Sequence, residues 1–298
     1  MKHNTTQHNT TQHNTTQHNT TQLSFKVKWF YLTLIFVILN SCERKENFQE
    51  DNTIGINKSN VNDLMNDLNK TLLHRYPEIK ILEKSKLTTR EEVHHCVPDV
   101  QGTNCSTQSY GEYITTPAIY PCYIECMAYV TYQVTICVDG NGKLISLNVF
   151  NLRLEFFTGS CYNDLSDCLD ELTTEENFYY YDRMQQELSF IIEGQILGSL
   201  SGIPRCPSTT LTTNYTKESC YALCIHNAYA SQTITYTLGI CGLTCCTRSR
   251  TVCKDNSGNL VYGTPSFSST GTVNCSSETT IENCEGQQPC YTAPCGLY

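Results

Sequence analysis

The chain has 298 residues, of which 29 are Asp or Glu and 20 are Lys or Arg, so its formal net charge is −9. Binding to nucleic acid phosphates needs clusters of basic side chains, so this composition argues against nucleic acid as a partner. It argues equally against electrostatic docking to anionic lipid headgroups. The length is enough for one large domain or two of ordinary size.

The N-terminus carries a short repeat. The pentapeptide HNTTQ occurs four times between His3 and Gln22. It contains no apolar residue, so it cannot build a packed core. Its regularly spaced histidines suggest weak metal binding. A tandem DNA repeat read through as protein, or a long discarded leader, explains the pattern better. Translation from near Leu23 or Val27 would leave a signal of ordinary length.

A short apolar segment follows the repeat. Lys26 and Lys28 precede eleven mostly apolar residues, 29–39, which are too few to span a bilayer comfortably. A basic start and an apolar run of this length are typical of a secretory signal peptide, and we assign residues 1–41 to the repeat-bearing N-terminus plus that signal. An uncleaved signal anchor and an ordinary cleaved signal remain the alternatives.

The segment ends in Leu39-Asn40-Ser41-Cys42, which resembles the lipobox of bacterial lipoproteins. The resemblance implies that Cys42 is lipidated through its sulfur and becomes the new N-terminus. The mature chain would then be anchored in the bacterial cell envelope, and we expect the outer membrane, facing an oxidising compartment. Several acyl chains would make that attachment almost permanent.

The mature chain opens with two distinct segments. Residues 42–58 are polar and without periodicity, which predicts a flexible tether. Residues 59–90 form an N-terminal helical segment, in which Ser59 or Asn60 caps the helix and Pro77 stops it. Apolar residues recur at three- and four-residue steps and should pack on the first sheet; they are Val61, Leu64, Met65, Leu68 and Leu72.

Residues 91–172 are predicted as a Cys-rich β module. Alternation with period two starts near Tyr113, and residues 139–142, Asp-Gly-Asn-Gly, interrupt it with a turn. This pattern predicts a β-hairpin that ends near Phe157. A linking helix over residues 173–202 follows, with Thr173 and Glu176 at capping-box spacing. Its apolar face comprises Phe178, Tyr181, Met184, Leu188, Ile192 and Ile196. Residues 203–298 read as a second Cys-rich β module.

Nineteen cysteines are present, and setting Cys42 aside leaves an even number. In an exported chain these predict a disulfide framework of up to nine bridges, whose connectivity the spacing does not give. Zinc is the alternative, disfavoured because C-x₂-C pairs are missing. The predicted half-cystines are Cys96, Cys105, Cys122, Cys126, Cys137, Cys161, Cys168, Cys206, Cys220, Cys224, Cys241, Cys245, Cys246, Cys253, Cys275, Cys284, Cys290 and Cys295.

The cysteines suggest an internal duplication. Both series contain a Cys-Tyr-x-x-Cys element, at Cys122 and at Cys220, followed by a cysteine and a turn of Asp, Asn and Gly. The second copy carries an insertion with Cys241, Cys245 and Cys246. The predicted fold is therefore mainly β with a few helices (α+β), disulfide-rich, with two related small β modules joined by a helix.

Motifs for catalysis are weak. We assign no catalytic, metal or cofactor-binding residue and expect no cofactor. His74 and His226 stand apart, and adjacent His94 and His95 point opposite ways on a strand. The segment 198–202 has Leu200 at its centre and so fails the G-x-S-x-G pattern. Acidic residues crowd residues 164–176, which reads as the solvated start of a helix rather than a calcium site.

These observations predict a surface-tethered binding or adhesion lipoprotein. Its nineteen tyrosines and many threonines, exposed on a stapled β surface, would suit recognition of an extracellular protein or glycan. Tyrosines that merely fill the sheet are the plainer interpretation. A secreted hydrolase of the paired-carboxylate glycosidase type and a structural envelope subunit are the alternatives.

Overall fold

A computed structural model of the chain describes residues 60–83, 96, 104–271, 275–281 and 284–296. The HNTTQ repeats, the signal segment with Cys42, the tether 42–58, and His94 and His95 lie outside the described residues. The predictions made for them stay predictions.

The described residues contain three helices, α1 (Val61–Arg75), α2 (Tyr162–Glu171) and α3 (Thr174–Ser199). Helix α1 begins where the sequence predicted, because the Asn60 side chain accepts a hydrogen bond from the Asn62 amide. Its apolar stripe packs against α3 and the first strands, with Leu64 half-buried and the other four residues buried, which confirms the prediction. The helix ends at Arg75, two residues before the predicted stop at Pro77, and a short strand at Lys80–Leu82 follows within the segment 59–90.

Helix α3 carries the predicted capping box. The Thr173 side chain accepts from the Glu176 amide, and the Glu176 carboxylate accepts from the Thr173 amide. The predicted apolar face is buried in full.

Helix α2 corrects the interpretation of the acidic stretch. Asp164, Asp167 and Asp170 belong to a separate helix, whose buried Leu165 and Leu169 fix it to the core.

Strands dominate the fold, so the described part of the chain is mainly β with helices, of the α+β class. The strands are β1 (Lys80–Leu82), β2 (Asn104–Thr115), β3 (Met127–Val138), β4 (Leu144–Thr158), β5 (Leu211–Glu218), β6 (Cys220–Ala228), β7 (Thr233–Ile240), β8 (Cys245–Lys254), β9 (Leu260–Tyr262), β10 (Ser266–Thr270), β11 (Glu278–Thr280), β12 (Gln287–Pro289) and β13 (Tyr291–Thr292).

One forked sheet contains eleven of the described strands, and β11 pairs with β12 separately. The main path is β1-β2-β3-β4-β5-β8-β10. The first half of β4 pairs in parallel with β5, whereas Phe156 and Phe157 near its end pair with β7, which leads to β6 and β13. Strands on either side of α3 therefore belong to one sheet, although the sequence suggested two modules.

The fork leaves backbone groups of β4 without a strand partner. Between the two branches the register shifts, and Asn151 adopts a φ of 51°. Gln185 of α3 fills the gap, because its Nε2 donates to the Leu152 carbonyl at 2.9 Å. A buried carbonyl left unpaired would cost about 1–3 kcal/mol, so this side chain helps hold the fork together.

The predicted hairpin is confirmed as β3–β4. Asp139 accepts hydrogen bonds from the amides of Asn141 and Lys143, and Gly142 has a φ of 80°. The turn between β8 and β9 is built alike, with Asp255 accepting from Ser257 and Asn259. The two turns that suggested a duplication thus share their local chemistry.

The two faces of the main sheet differ. On β3, Val130, Tyr132 and Val134 face α1 and α3, and they belong to the main hydrophobic core. We call this the near face. Tyr129, Thr131, Gln133 and Thr135 alternate with them on the opposite, far face.

All eighteen cysteines that the structure describes pair, which bears out the disulfide framework. The pairs are Cys96–Cys245, Cys105–Cys137, Cys122–Cys168, Cys126–Cys161, Cys206–Cys253, Cys220–Cys275, Cys224–Cys284, Cys241–Cys290 and Cys246–Cys295.

The pairing bears on the proposed duplication in two ways. Cys105–Cys137 and Cys206–Cys253 occupy equivalent places in the two series. The C-x₃-C cysteines of both series bond to later cysteines, but in opposite order. Their backbones also differ, since Cys122 lies in a loop and Cys220 begins β6. The duplication stays a prediction.

Candidate ligand-binding face

A row of three aromatic rings, one exposed and two half-buried, lies at one end of the far face. Tyr113, Tyr129 and Phe156 are register partners on β2, β3 and β4. The ring centroids of Tyr113 and Tyr129 are 5.0 Å apart, and those of Tyr129 and Phe156 are 5.4 Å apart. Met127, two residues before Tyr129 on the same face, is 51% exposed, and Tyr113 is 38% exposed. We call these four residues the aromatic platform.

Polar groups adjoin the platform. Thr131, two residues after Tyr129 on β3, donates to Glu155 Oε1 at 2.8 Å. Partial burial, with the Glu155 charge as a lesser cause, raises the pKa of the Tyr129 hydroxyl above its ordinary value. The platform thus offers flat rings beside a carboxylate oxygen and hydroxyl groups. That combination of apolar area and hydrogen-bonding groups is typical of recognition surfaces.

Elsewhere on the far face, polar side chains form hydrogen bonds with one another across neighbouring strands. Thr107 and Thr135 are joined by a 2.6 Å hydrogen bond, and Asn214 Nδ2 donates to Asn148 Oδ1 at 2.7 Å. Thr135 and Asn148 are buried. These cross-strand pairs stabilise the sheet, as such pairs do in general. Cys96, bonded to Cys245 on this face, is buried as well.

The buried acidic side chains Asp182 and Glu193 of α3 form ion pairs with basic side chains of the sheet. Asp182 is buried and pairs with Lys217 of β5, and Tyr221 donates to the same carboxylate at 3.1 Å. Glu193 holds Arg248 at 2.8 Å and Arg250 at 2.9 Å. Burial lowers the pKa of Lys217 and of Arg248. Because the carboxylates of Asp182 and Glu193 are paired with cationic side chains, we interpret them as groups that hold α3 on the sheet.

Glu112 of β2 is buried, and its side-chain hydrogen-bond partners are the neutral side chains of Tyr132 and Gln195. Its carboxylate accepts from the Tyr132 hydroxyl at 2.9 Å and from Gln195 Nε2 at 3.4 Å. Burial raises the pKa of Glu112 to about 7, a shift that the two hydrogen bonds only partly oppose. It lies on the near face, inside the core, and is fully excluded from solvent.

The hydrolase alternative requires two carboxylates in a cleft. A groove of about 470 Å³ contains Asp63 and Asp67 of α1 together with Asp139 of the hairpin turn. Asp63 and Asp67 are exposed, and Asp139 is engaged by its own turn. The hydrolase remains an untested alternative.

The remaining candidates from the sequence are scattered. His74 is exposed near the end of α1, and Leu200 follows the end of α3 in a buried position. His226 lies on β6 beside Cys224. Sequence reasoning noted the tyrosines as a group but did not single out Tyr113, Tyr129 or Phe156. The register of β2, β3 and β4 brings these three rings together. The alternation along each strand indicated which residues share a face, but not which residues of different strands are neighbours.

Comparison with protein-family models, with curated proteins and with solved structures gave no match to this chain. None of the helices in the described ranges is both long and apolar enough to cross a membrane.

Proposed function

We propose that the protein is a surface-tethered binding or adhesion lipoprotein whose aromatic platform contacts the ligand. In this proposal the Cys42 anchor and the tether 42–58 hold the stapled sheet at the bacterial cell envelope. The ligand is an extracellular glycan or protein, and no nucleic acid or cofactor takes part.

The observation that carries the proposal is the row of partly exposed rings, Tyr113, Tyr129 and Phe156, beside the exposed Met127. Aromatic side chains usually give a fold its core, and several large ones do so here, among them Tyr110 and Phe178. Rings that stay partly in contact with water do not contribute their full burial free energy to folding. A ligand that covers them gains that free energy on binding. Rings on a disulfide-stapled sheet also lose little entropy on binding.

A glycan and extracellular-protein array probed with the full chain in detergent tests the proposal. Any ligand found is then titrated against Tyr113→Ala and Tyr129→Ala. Loss of a central aromatic contact costs about 1–2 kcal/mol, so affinity should fall at least about tenfold. Tyr229→Ala is the matched control, because Tyr229 is 69% exposed in the β6–β7 turn, outside the platform. A ligand that binds both platform variants as tightly as the parent would overturn the assignment.

A further inference from the structure

The bridge between Cys224 and Cys284 has a histidine beside it. His226 Nε2 lies 3.2 Å from Cys224 Sγ and 3.9 Å from Cys284 Sγ. Cys224 and His226 are two residues apart on β6, so their side chains project from the same side of the strand. Within the described ranges, these three residues form the one group of His, Cys, Asp or Glu side chains that could jointly ligate an ion, with ligand atoms within 4.8 Å of one another.

The three residues line an open pocket of about 550 Å³, together with Asn177, Glu285 and other residues. Cys224 is 8% exposed, whereas Cys284 and His226 are half-buried. A small reductant and an ion can therefore reach the sulfur atoms from solvent. Burial alone does not distinguish this bridge, because every other bridge except Cys96–Cys245 also joins a buried cysteine to a half-buried one. The histidine beside the two sulfur atoms and the pocket that both cysteines line do distinguish it.

The backbone spacing suits two states of this cysteine pair. The Cα atoms of Cys224 and Cys284 are 6.4 Å apart, the widest of the nine bridges and near the upper end of the disulfide range. Two thiolates on one tetrahedral zinc ion lie roughly 3.8 Å apart, given Zn–S distances of about 2.3 Å. Rotation of the two cysteine side chains would supply that separation without a movement of the backbone.

We propose that Cys224, His226 and Cys284 form a redox-controlled zinc site. In the oxidised state the two sulfurs are bonded to each other. A dithiol transfers two electrons and two protons to the bridge and becomes a disulfide itself, which leaves two thiols. Zn²⁺ then displaces both thiol protons and binds the two thiolates and His226 Nε2. The fourth position faces the pocket and takes water. The site is independent of the aromatic platform.

The test uses the full chain in detergent, reduced stepwise by a dithiol without oxygen. Alkylation and mass spectrometry identify which cysteines are free at each step. Zinc content, and the thiolate-to-metal absorption band after loading with Co²⁺, report the site. We expect Cys224 and Cys284 to be freed first and one metal ion to bind per chain. His226→Ala should weaken binding at least about tenfold, because a ligand is lost. Removing a nearby bridge without a histidine, with Cys220→Ser and Cys275→Ser, is the control and should leave metal binding intact.

Three results would overturn the proposal. The first is no metal on a chain whose Cys224 and Cys284 are shown to be free. The second is equal metal affinity in His226→Ala and in the parent. The third is release of Cys224 and Cys284 only after the other bridges have opened, since the site would then have no folded protein to occupy.

Discussion

The Tyr129 ring lies directly over Gly111 of the neighbouring strand β2. A β-carbon at position 111 would come within 3.0 Å of Tyr129 Cζ and still closer to its hydroxyl oxygen. Such an approach is tighter than real side-chain contacts, so the glycine is what lets the ring lie flat on the sheet. The aromatic platform therefore depends on a residue that has no side chain.

Gly111→Ala should displace the Tyr129 ring and destabilise the fold by about 1–3 kcal/mol, because an added methyl group overpacks the contact. Urea unfolding with the disulfides intact measures the change, and ligand affinity should fall with it. Gly140→Ala is the control, since a β-carbon at Gly140 meets nothing within 4 Å. Equal stability of the two variants would contradict the contact.

Glu112 should make stability pH-dependent. Its folded pKa is about 7 and its ordinary value 4.5, so the folded state holds the proton more tightly. Stability should then fall as pH rises from about 4.5 to 7 and level off above. At roughly 1.4 kcal/mol per pKa unit, Glu112→Gln should stabilise the protein by about 3 kcal/mol at pH 8 and flatten this part of the profile. The exposed Glu125 supplies the control variant, Glu125→Gln, which should leave the profile unchanged.

Asp182 and Lys217 should be strongly coupled. Lys217→Met leaves the Asp182 carboxylate buried without its cation and should cost about 3–5 kcal/mol. Adding Asp182→Leu should restore much of the loss, because an apolar pair replaces an unpaired charge. Chemical denaturation of both single variants and the double variant measures the coupling. The exposed pair of Lys70 and Asp67 offers a comparison, and Asp67→Asn should change stability by no more than about 0.5 kcal/mol. Additive effects at Asp182 and Lys217 would refute the coupling.

Cys42→Ala should release the protein from the membrane fraction, because alanine has no sulfur to which the lipid could be attached. Membrane fractionation followed by detection of the chain measures this. Cys96→Ala is a useful control, since it breaks the bridge to Cys245 but leaves the anchor intact. Unchanged membrane association of the Cys42 variant would remove the basis for a lipid anchor.

Local signals predicted local structure well. The cap at Asn60, the capping box of Thr173 and Glu176, and the Asp139 turn each depend on residues close together in sequence. Helix α2 was missed, because its acidic residues resembled the start of α3 and hid the buried face of Leu165 and Leu169. Strand alternation predicted the β3–β4 hairpin but gave no indication that β4 forks between two branches.

The sequence by itself determined the α+β class and the ends of α1 and α3. It also indicated that the even number of cysteines left after Cys42 forms disulfides. These follow from periodicity, turn chemistry and parity, which are properties of short stretches of chain. Only the tertiary structure decided which cysteines pair, that Gln185 closes the fork at Leu152, and that Tyr113, Tyr129 and Phe156 form one row. Each of these joins residues far apart along the chain, and their meeting depends on strand register and on how α3 packs across the sheet.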